Sequence, residues 1–367
     1  MLDDRLLPRG KAGTYGGLSN RGTARIDAPR AESKERVTQR FQWARRRVHR
    51  PTVQIVCSPL VPSGDVIFGP DVQRNLWFAM RNSLHASPRA GALGLVVSWR
   101  DRPELAQSLP TLAVCAARHG GDVTVVNYGG SRAELLRMIG SVSTPVRVVT
   151  VDGEQWFNKA RAQNVGAAHT PHDLLFFCDC DILVGEGALD ELFTAVQRGP
   201  EIFGTVAGVT ETQRNARKAG NVVMFGYQLK LRLANGRSLQ IVDNEEDAED
   251  GSRQAPGLLV ARRTDFEKAG GYNGRLHGWG WEDQDMIARL TLGAGLARVQ
   301  SGYVHHISHD DDARIRHYPP VKDRWESRDR MFRQALANYD RADFEGTLRQ
   351  DVALLASRCA VETVQPG

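Results

Sequence analysis

Residues 278–285 read Gly278-Trp279-Gly280-Trp281-Glu282-Asp283-Gln284-Asp285, two glycines alternating with two tryptophans ahead of three carboxylates. Each type has a use in such company. A flat indole stacks on a sugar ring, a glycine lets backbone approach a ligand closely, and a carboxylate takes a proton from a hydroxyl or holds one. The stretch therefore suggests a carbohydrate and a base. A plain core helix has no need of this mixture.

Two further clusters are rich in metal-binding types. Asp179-Cys180-Asp181 follows the apolar run Leu174–Cys178. Carboxylates two residues apart share one side of an extended chain. Hard divalent ions bind through one or two carboxylates plus substrate phosphates; a loop capping the next helix is the plain alternative. His305-His306-Ile307-Ser308-His309-Asp310-Asp311-Asp312 is the second cluster. Imidazole suits manganese, iron and zinc better than magnesium, and His306 and His309 can approach one ion from a turn. Singly, each His reads as an exposed loop residue. Together with Asp179 and Asp181 they make a site of two imidazoles and one or two carboxylates.

Cationic and amide side chains complete the set. Arg100 and Arg102 offer planar forks of donors suited to phosphate, with surface ion pairs as the alternative. Lys159 and Asn164, on one helical stretch, can reach a phosphate or a ribose. No G-x-x-x-x-G-K-[ST] occurs, and no G-x-G-x-x-G follows the first strong strand, which disfavours a Walker-type or dinucleotide site. A bound diphosphate would then be neutralised by a metal and by Arg or Lys.

The elements that must position these groups are legible as alternating runs. Strands are expected at Leu93–Trp99, Asp122–Asn127, Val146–Val151 and Leu174–Cys178. Helices are expected at 104–118, 132–139 and 157–168, with C-terminal helices within 325–357. Short apolar runs between amphipathic helices argue for an α/β fold with a mainly parallel central sheet and helices on both faces. Ligands of such sheets bind beyond the carboxyl ends of the strands. Arg100, Arg102, Asn127, Asp179 and Asp181 all fall there. The runs Val53–Cys57 and Val66–Phe68 form an extension at 51–90, and the acidic run Asn244–Asp250 reads as a solvated loop.

Bulk composition bounds the rest. The 367 residues, 41% hydrophobic and 25% charged, suit a globular protein. No apolar stretch is long enough to span a bilayer, and Met1–Arg5 does not open a signal peptide, so a cytoplasmic protein is expected. Five cysteines, odd in number, do not space as a disulfide framework; Cys178 and Cys180 read as buried thiols. Residues 1–50 hold 13 Lys and Arg against 5 Asp and Glu. That arm is expected to be solvated and partly disordered, with peripheral contact to an anionic membrane or polymer as the second reading. It lacks aromatic-interleaved basic motifs, so no nucleic-acid partner is expected.

Taken in order, the motifs resemble the inverting GT-A glycosyltransferases, in particular the β-1,4-galactosyltransferase and chondroitin-synthase-like group, over roughly residues 93–310. Ser98-Trp99-Arg100-Asp101-Arg102 resembles that group's Arg-x-Arg segment on the uridine nucleotide. Phe157-Asn158-Lys159-Ala160 with Asn164-Val165-Gly166 is similar to its helix before the metal strand. Asp179-Cys180-Asp181 resembles its Asp-x-Asp, and Gly278-Trp279-Gly280-Trp281-Glu282-Asp283 its acceptor motif. His306-Ile307-Ser308-His309 resembles a segment in which Met and His complete the metal site, with His306 standing here in place of Met.

The resemblance implies a GT-A catalytic domain at 91–312, with a donor half at 91–185 and an acceptor half at 250–312. A C-terminal helical extension would follow at 313–367. It implies Asp283 as base with Glu282 positioning a hydroxyl, and Trp279, Gly280 and Trp281 on the acceptor. Arg100, Arg102, Asn127, Lys159, Asn164 and Asp179 fall to the donor nucleotide, and Asp181, His306 and His309 to a divalent ion, manganese before magnesium. The implied reaction moves a hexose or N-acetylhexosamine from a UDP-sugar to a hydroxyl of a saccharide or glycoconjugate. A metal-dependent phosphohydrolase would leave the tryptophans unexplained. A non-catalytic carbohydrate-binding protein is the rival outside enzymes.

Overall fold

The computed structural model describes residues 53–59, 91–213, 226–244, 246–247 and 250–365. The chain divides into two units, 1–50 and 51–367. The basic arm and the run Val66–Phe68 lie outside the described residues.

Strand β2 (Leu93–Trp99) is buried at every position, as its unbroken apolar run requires. Around it pair β3 (Asp122–Tyr128), β4 (Val146–Val151) and β5 (Leu174–Asp179), all parallel, in the order β4-β3-β2-β5. The crossovers are α1 (Leu105–Arg118), α2 (Arg132–Ile139) and α3 (Lys159–His169). Side chains alternate across a strand, so β2 feeds two cores. Leu93, Leu95, Val97 and Trp99 pack with Leu105, Leu109 and Leu112 of α1. Val96 packs on the other face with Ala160, Ala162 and Val165 of α3. There α3 approaches so closely that a Cβ on Gly166 would lie 2.4 Å from Val96 Cγ1, which only glycine avoids.

Beyond β5 the chain continues through segments not assigned from the sequence. β6 (Ile182–Leu183), α4 (Asp190–Arg198), β7 (Ile202–Glu211), β8 (Gly226–Leu233), β9 (Ser238–Asn244), β10 (Ser252–Arg253), β11 (Leu259–Arg262) and α5 (Arg263–Lys268) follow in order. Next come α6 (Glu282–Ala288), running into a π-helical turn at Arg289–Gly293, then β12 (Ala297–His306) and α7 (Asp311–Ile315). β11 joins β5 and β7 antiparallel, β12 runs parallel to β7, and β6 closes on the end of β12. β1 (Val53–Pro59) pairs with β8, and β8 with β9, in a separate three-stranded sheet. The result is the α/β architecture expected, helices lying on both faces.

The C-terminal extension is helical only in part. α8 (Arg324–Asp340) and α9 (Leu348–Leu355) are followed by β13 (Cys359–Val364), antiparallel to β4 at the sheet edge. Met331, Ala335 and Tyr339 of α8 bury into the core that holds α6.

Candidate active site

The ends of β2, β5, β7 and β12 converge with the start of α6 on one cleft of about 540 Å³. On its lining, Asp181 Oδ2 lies 3.2 Å from His309 Nε2, 3.5 Å from His306 Nε2 and 3.2 Å from the Arg102 guanidinium. Backbone pairing builds this corner: β12 brings His306 beside Ile182 of β6, and Ile307 N–H donates to the Asp181 carbonyl at 2.8 Å. Burial alone would raise the Asp181 pKa, but His306, His309 and Arg102 hold it well below the carboxylate range. His306 is opposed by burial too, yet Asp181 and Glu211 raise it.

These residues fit a divalent ion. Among the described residues, Asp181, His306 and His309 form a group whose ligand atoms lie within 4.8 Å of one another. Asp181 Oδ1 is buried with no hydrogen-bond partner among the described residues. Both imidazoles engage their Nδ1 elsewhere, His306 with Glu211 at 2.7 Å and His309 with the Asp310 carbonyl at 2.9 Å. Each Nδ1 thereby keeps a proton, so that loss of the Nε2 proton would turn that nitrogen's lone pair to a ligand.

The acidic turn lines the same cleft. Gly280 and Trp281 take φ of +88° and +72° in succession. The left-handed conformation is uncommon for a bulky residue. It starts α6 abruptly and leaves Asp283 half-buried at the cleft. Burial, then the adjacent Glu282, push Asp283 up to about 7 against the pull of Lys159. Lys159 Nζ bridges Asp179 at 2.6 Å and Glu282 at 3.2 Å, joining the strand carboxylate to the helix carboxylates. Burial disfavours its charge, but these partners raise its pKa well above normal. Trp279 lines the cleft, its backbone N–H held by Ser327 Oγ at 2.8 Å.

Most of the expected residues line this cleft: Arg100, Arg102, Lys159, Asp179, Asp181, Trp279, Gly280, Glu282, Asp283, His306 and His309. Asp179 and Asp181 do not act from one side, because β5 stops at Asp179 and residues 180–181 turn. The turn sends Asp179 to Lys159 and Asp181 to the imidazoles.

Three expectations change. Asn164 is fully buried and does not line the cleft. Its amide donates to the Tyr272 carbonyl and Asp351 at 2.9 and 2.7 Å, and its oxygen accepts from Tyr272 N–H at 2.8 Å. Asn127 is equally buried, folding its side chain onto the Gly130 N–H and carbonyl, a turn-forming use of Asn. Trp281 reaches the cleft lining with 3% of its surface exposed, its ring packed 4.4 Å from Phe332. That leaves no face for a sugar.

Asp285 is likewise structural, its carboxylate taking the Arg289 guanidinium at 2.6 Å and the Tyr339 hydroxyl at 2.9 Å. The acidic run expected as a solvated loop contributes Glu246, buried and lining the cleft.

The sequence reading missed Glu211, Arg253, Arg314 and Tyr318, all on the cleft. Glu211 lies at the end of β7 and Arg253 in β10, far in sequence from any motif. Burial lowers the Arg314 pKa to about 10. Cys115, Cys178, Cys180 and Cys359 are free, and Cys178 and Cys180 are buried as expected.

Residues 246–310 match the family model for the N-terminal domain of galactosyltransferase. That stretch holds the acidic turn and both imidazoles. The match bears out the glycosyltransferase recognised from the motifs. None of the curated proteins matches the chain significantly.

Among solved structures, the chain is similar to the mannosyltransferase PcManGT from Pyrobaculum calidifontis in complex with GDP-Man and Mn2+. The identity is 17% and the TM-score 0.41, over 77% of each chain. It is similar to GalNAc-T7 with UDP, GalNAc and Mn2+ at 10% identity and TM-score 0.44, over 82% of this chain and 66% of that one. To S. aureus TarS 1-349 the values are 13% and 0.40, over 59% and 60%. The last two are thus spanned over less than two thirds of their length. No helix among the described residues is long and apolar enough to cross a membrane.

Proposed function

We propose that the chain is a metal-dependent, inverting glycosyltransferase that moves a hexose or N-acetylhexosamine from a UDP-sugar to a hydroxyl of a saccharide or glycoconjugate. One observation carries this reading. A single cleft is lined both by a two-imidazole, one-carboxylate ligand set and by a half-buried carboxylate raised to about 7, with a tryptophan.

In this reading Asp181, His306 and His309 hold the ion, manganese before magnesium. Bound there, it would supply Lewis-acid stabilisation of the departing diphosphate. Arg100 and Arg102 face the nucleotide, Arg102 from its place on Asp181. Trp279 stacks on the acceptor and Glu282, fixed by Lys159, orients a hydroxyl. Asp283 takes the hydroxyl proton as that oxygen bonds to the anomeric carbon and the bond from that carbon to the diphosphate oxygen breaks. A base titrating near the working pH is well matched to this task. The catalytic domain is 91–312, with a donor half at 91–185 and an acceptor half at 250–312.

The test is a screen of UDP-Gal, UDP-GalNAc, UDP-Glc and UDP-GlcNAc with Mn2+ or Mg2+, reading UDP release with and without saccharide acceptors. Release that needs both metal and acceptor is expected. Turnover in excess chelator would remove the metal role. Inorganic phosphate released without acceptor would favour a phosphohydrolase.

A further inference from the structure

Glu211 is buried at the end of β7. Its Oε2 accepts from His306 Nδ1 at 2.7 Å and from Ser308 Oγ at 2.8 Å, and its Oε1 accepts from Arg253 Nε at 2.8 Å. The parallel pairing of β7 with β12 sets Glu211 and His306 as direct register partners. Thr212 N–H locks that register by donating to the His306 carbonyl at 2.9 Å. The carboxylate is therefore fixed by backbone, by a guanidinium and by a hydroxyl before it meets the imidazole.

An imidazole can ligate through either ring nitrogen, and its other nitrogen's partner selects which. Ligating histidines regularly give their second N–H to a carboxylate, which fixes tautomer and ring orientation and makes the ligand more basic. Here that second partner is Glu211, and the nitrogen left over is the one 3.5 Å from Asp181. His309 has only a neighbouring carbonyl in the same role, at 2.9 Å, so the two imidazoles are not equivalent.

We infer that Glu211 is a positioning residue of the metal site, holding His306 with Nε2 toward Asp181 and strengthening it as a ligand. The inference rests on the metal-dependent reading above, and a metal-binding experiment separates the two. Mn2+ alone is titrated into the full chain, without donor, by calorimetry and by the loss of the free-ion signal in electron paramagnetic resonance. The proteins are wild type, Asp181→Asn, Glu211→Ala and Glu211→Gln, each checked for folding by circular dichroism and thermal unfolding without metal.

Glu211→Ala is expected to bind Mn2+ about 10–100-fold more weakly. Glu211→Gln, whose amide oxygen still accepts the Nδ1 proton, should recover most of that loss and stay severalfold below wild type. Such graded rescue is not what a merely structural carboxylate gives. Wild-type affinity in Glu211→Ala, with Asp181→Asn impaired, overturns the role of Glu211 alone. If Glu211→Ala does not fold, wild-type affinity in Glu211→Gln overturns it instead. Wild-type affinity in Asp181→Asn, or no Mn2+ binding by wild type, overturns the metal site itself.

Discussion

Replacing Asp283 by Asn should damage turnover and help stability, both with a pH signature. Burial and Glu282 raise this carboxyl from 3.8 to about 7 in the folded chain. Between those values the folded state holds a proton that the unfolded state has lost, so stability falls as pH rises through the window. At about 1.4 kcal/mol for each pH step of one, the loss from pH 5 to pH 8 is on the order of 2–3 kcal/mol. Asn carries no such charge. Urea unfolding of Asp283→Asn and wild type, compared at pH 5 and pH 8, should show a stability difference growing by that amount in favour of the variant.

Activity should move the other way. A positioned general base contributes about 10²–10⁴-fold, so turnover with the best acceptor found in the donor screen should fall within that range. UDP binding in the presence of Mn2+ should be unchanged. The wild-type kcat/KM should rise with a single deprotonation near neutral pH, and the residual rate of the variant should not. A stability difference that is flat with pH refutes the raised carboxyl. A variant that keeps full turnover refutes its use as the base, whatever its pKa.

Other expectations concern residues whose roles the structure separates. Trp279→Ala should raise the acceptor KM about 2–10-fold, from the ~0.5–1.5 kcal/mol of a lost stacking face, with donor affinity unchanged; an unaltered acceptor KM in steady-state assays counts against the stacking role. Asn164→Ala deprives Asp351 and both Tyr272 backbone groups of a buried partner and should cost about 2–4 kcal/mol in urea unfolding. Because Asn164 is away from the cleft, UDP affinity of the folded variant should match wild type, and a tenfold loss in calorimetry would return it to the donor site. Arg289→Met leaves the Asp285 carboxylate buried without its guanidinium and should destabilise by about 3–5 kcal/mol. The same unfolding assay checks this, and a change under about 1 kcal/mol would refute that dependence.

What could be read from the chain follows from where each side chain's partners lie. β2 through β5 and their helices were legible because a strand buried on both faces must be apolar throughout, and a covering helix must be amphipathic. The metal ligands were legible in pairs, since Asp181 and His306/His309 each lie in a dense local cluster. Their meeting depends on β6 pairing with β12, which no local pattern states.

Asn164 and Asn127 misled for one reason. A polar residue at a strand end, or on the helix before one, looks the same in sequence whether it faces a ligand or satisfies buried backbone. Asn164 is claimed by Tyr272 and Asp351, more than a hundred residues away. Trp281 misled differently: its left-handed φ is a property of the turn, and it sends the ring inward to Phe332 while its twin Trp279 stays at the cleft. Glu211 shows the converse. It carries no motif, and a strand-end glutamate is ordinary until β7 is laid beside β12. Parallel register then makes it the neighbour of His306, and a carboxylate already bonded to Arg253 and Ser308 cannot turn away from that imidazole without giving up both. Its orientation is thus set by the sheet, and the imidazole's by the carboxylate, so sheet register is passed to the His306 ring of the proposed metal site through one hydrogen bond.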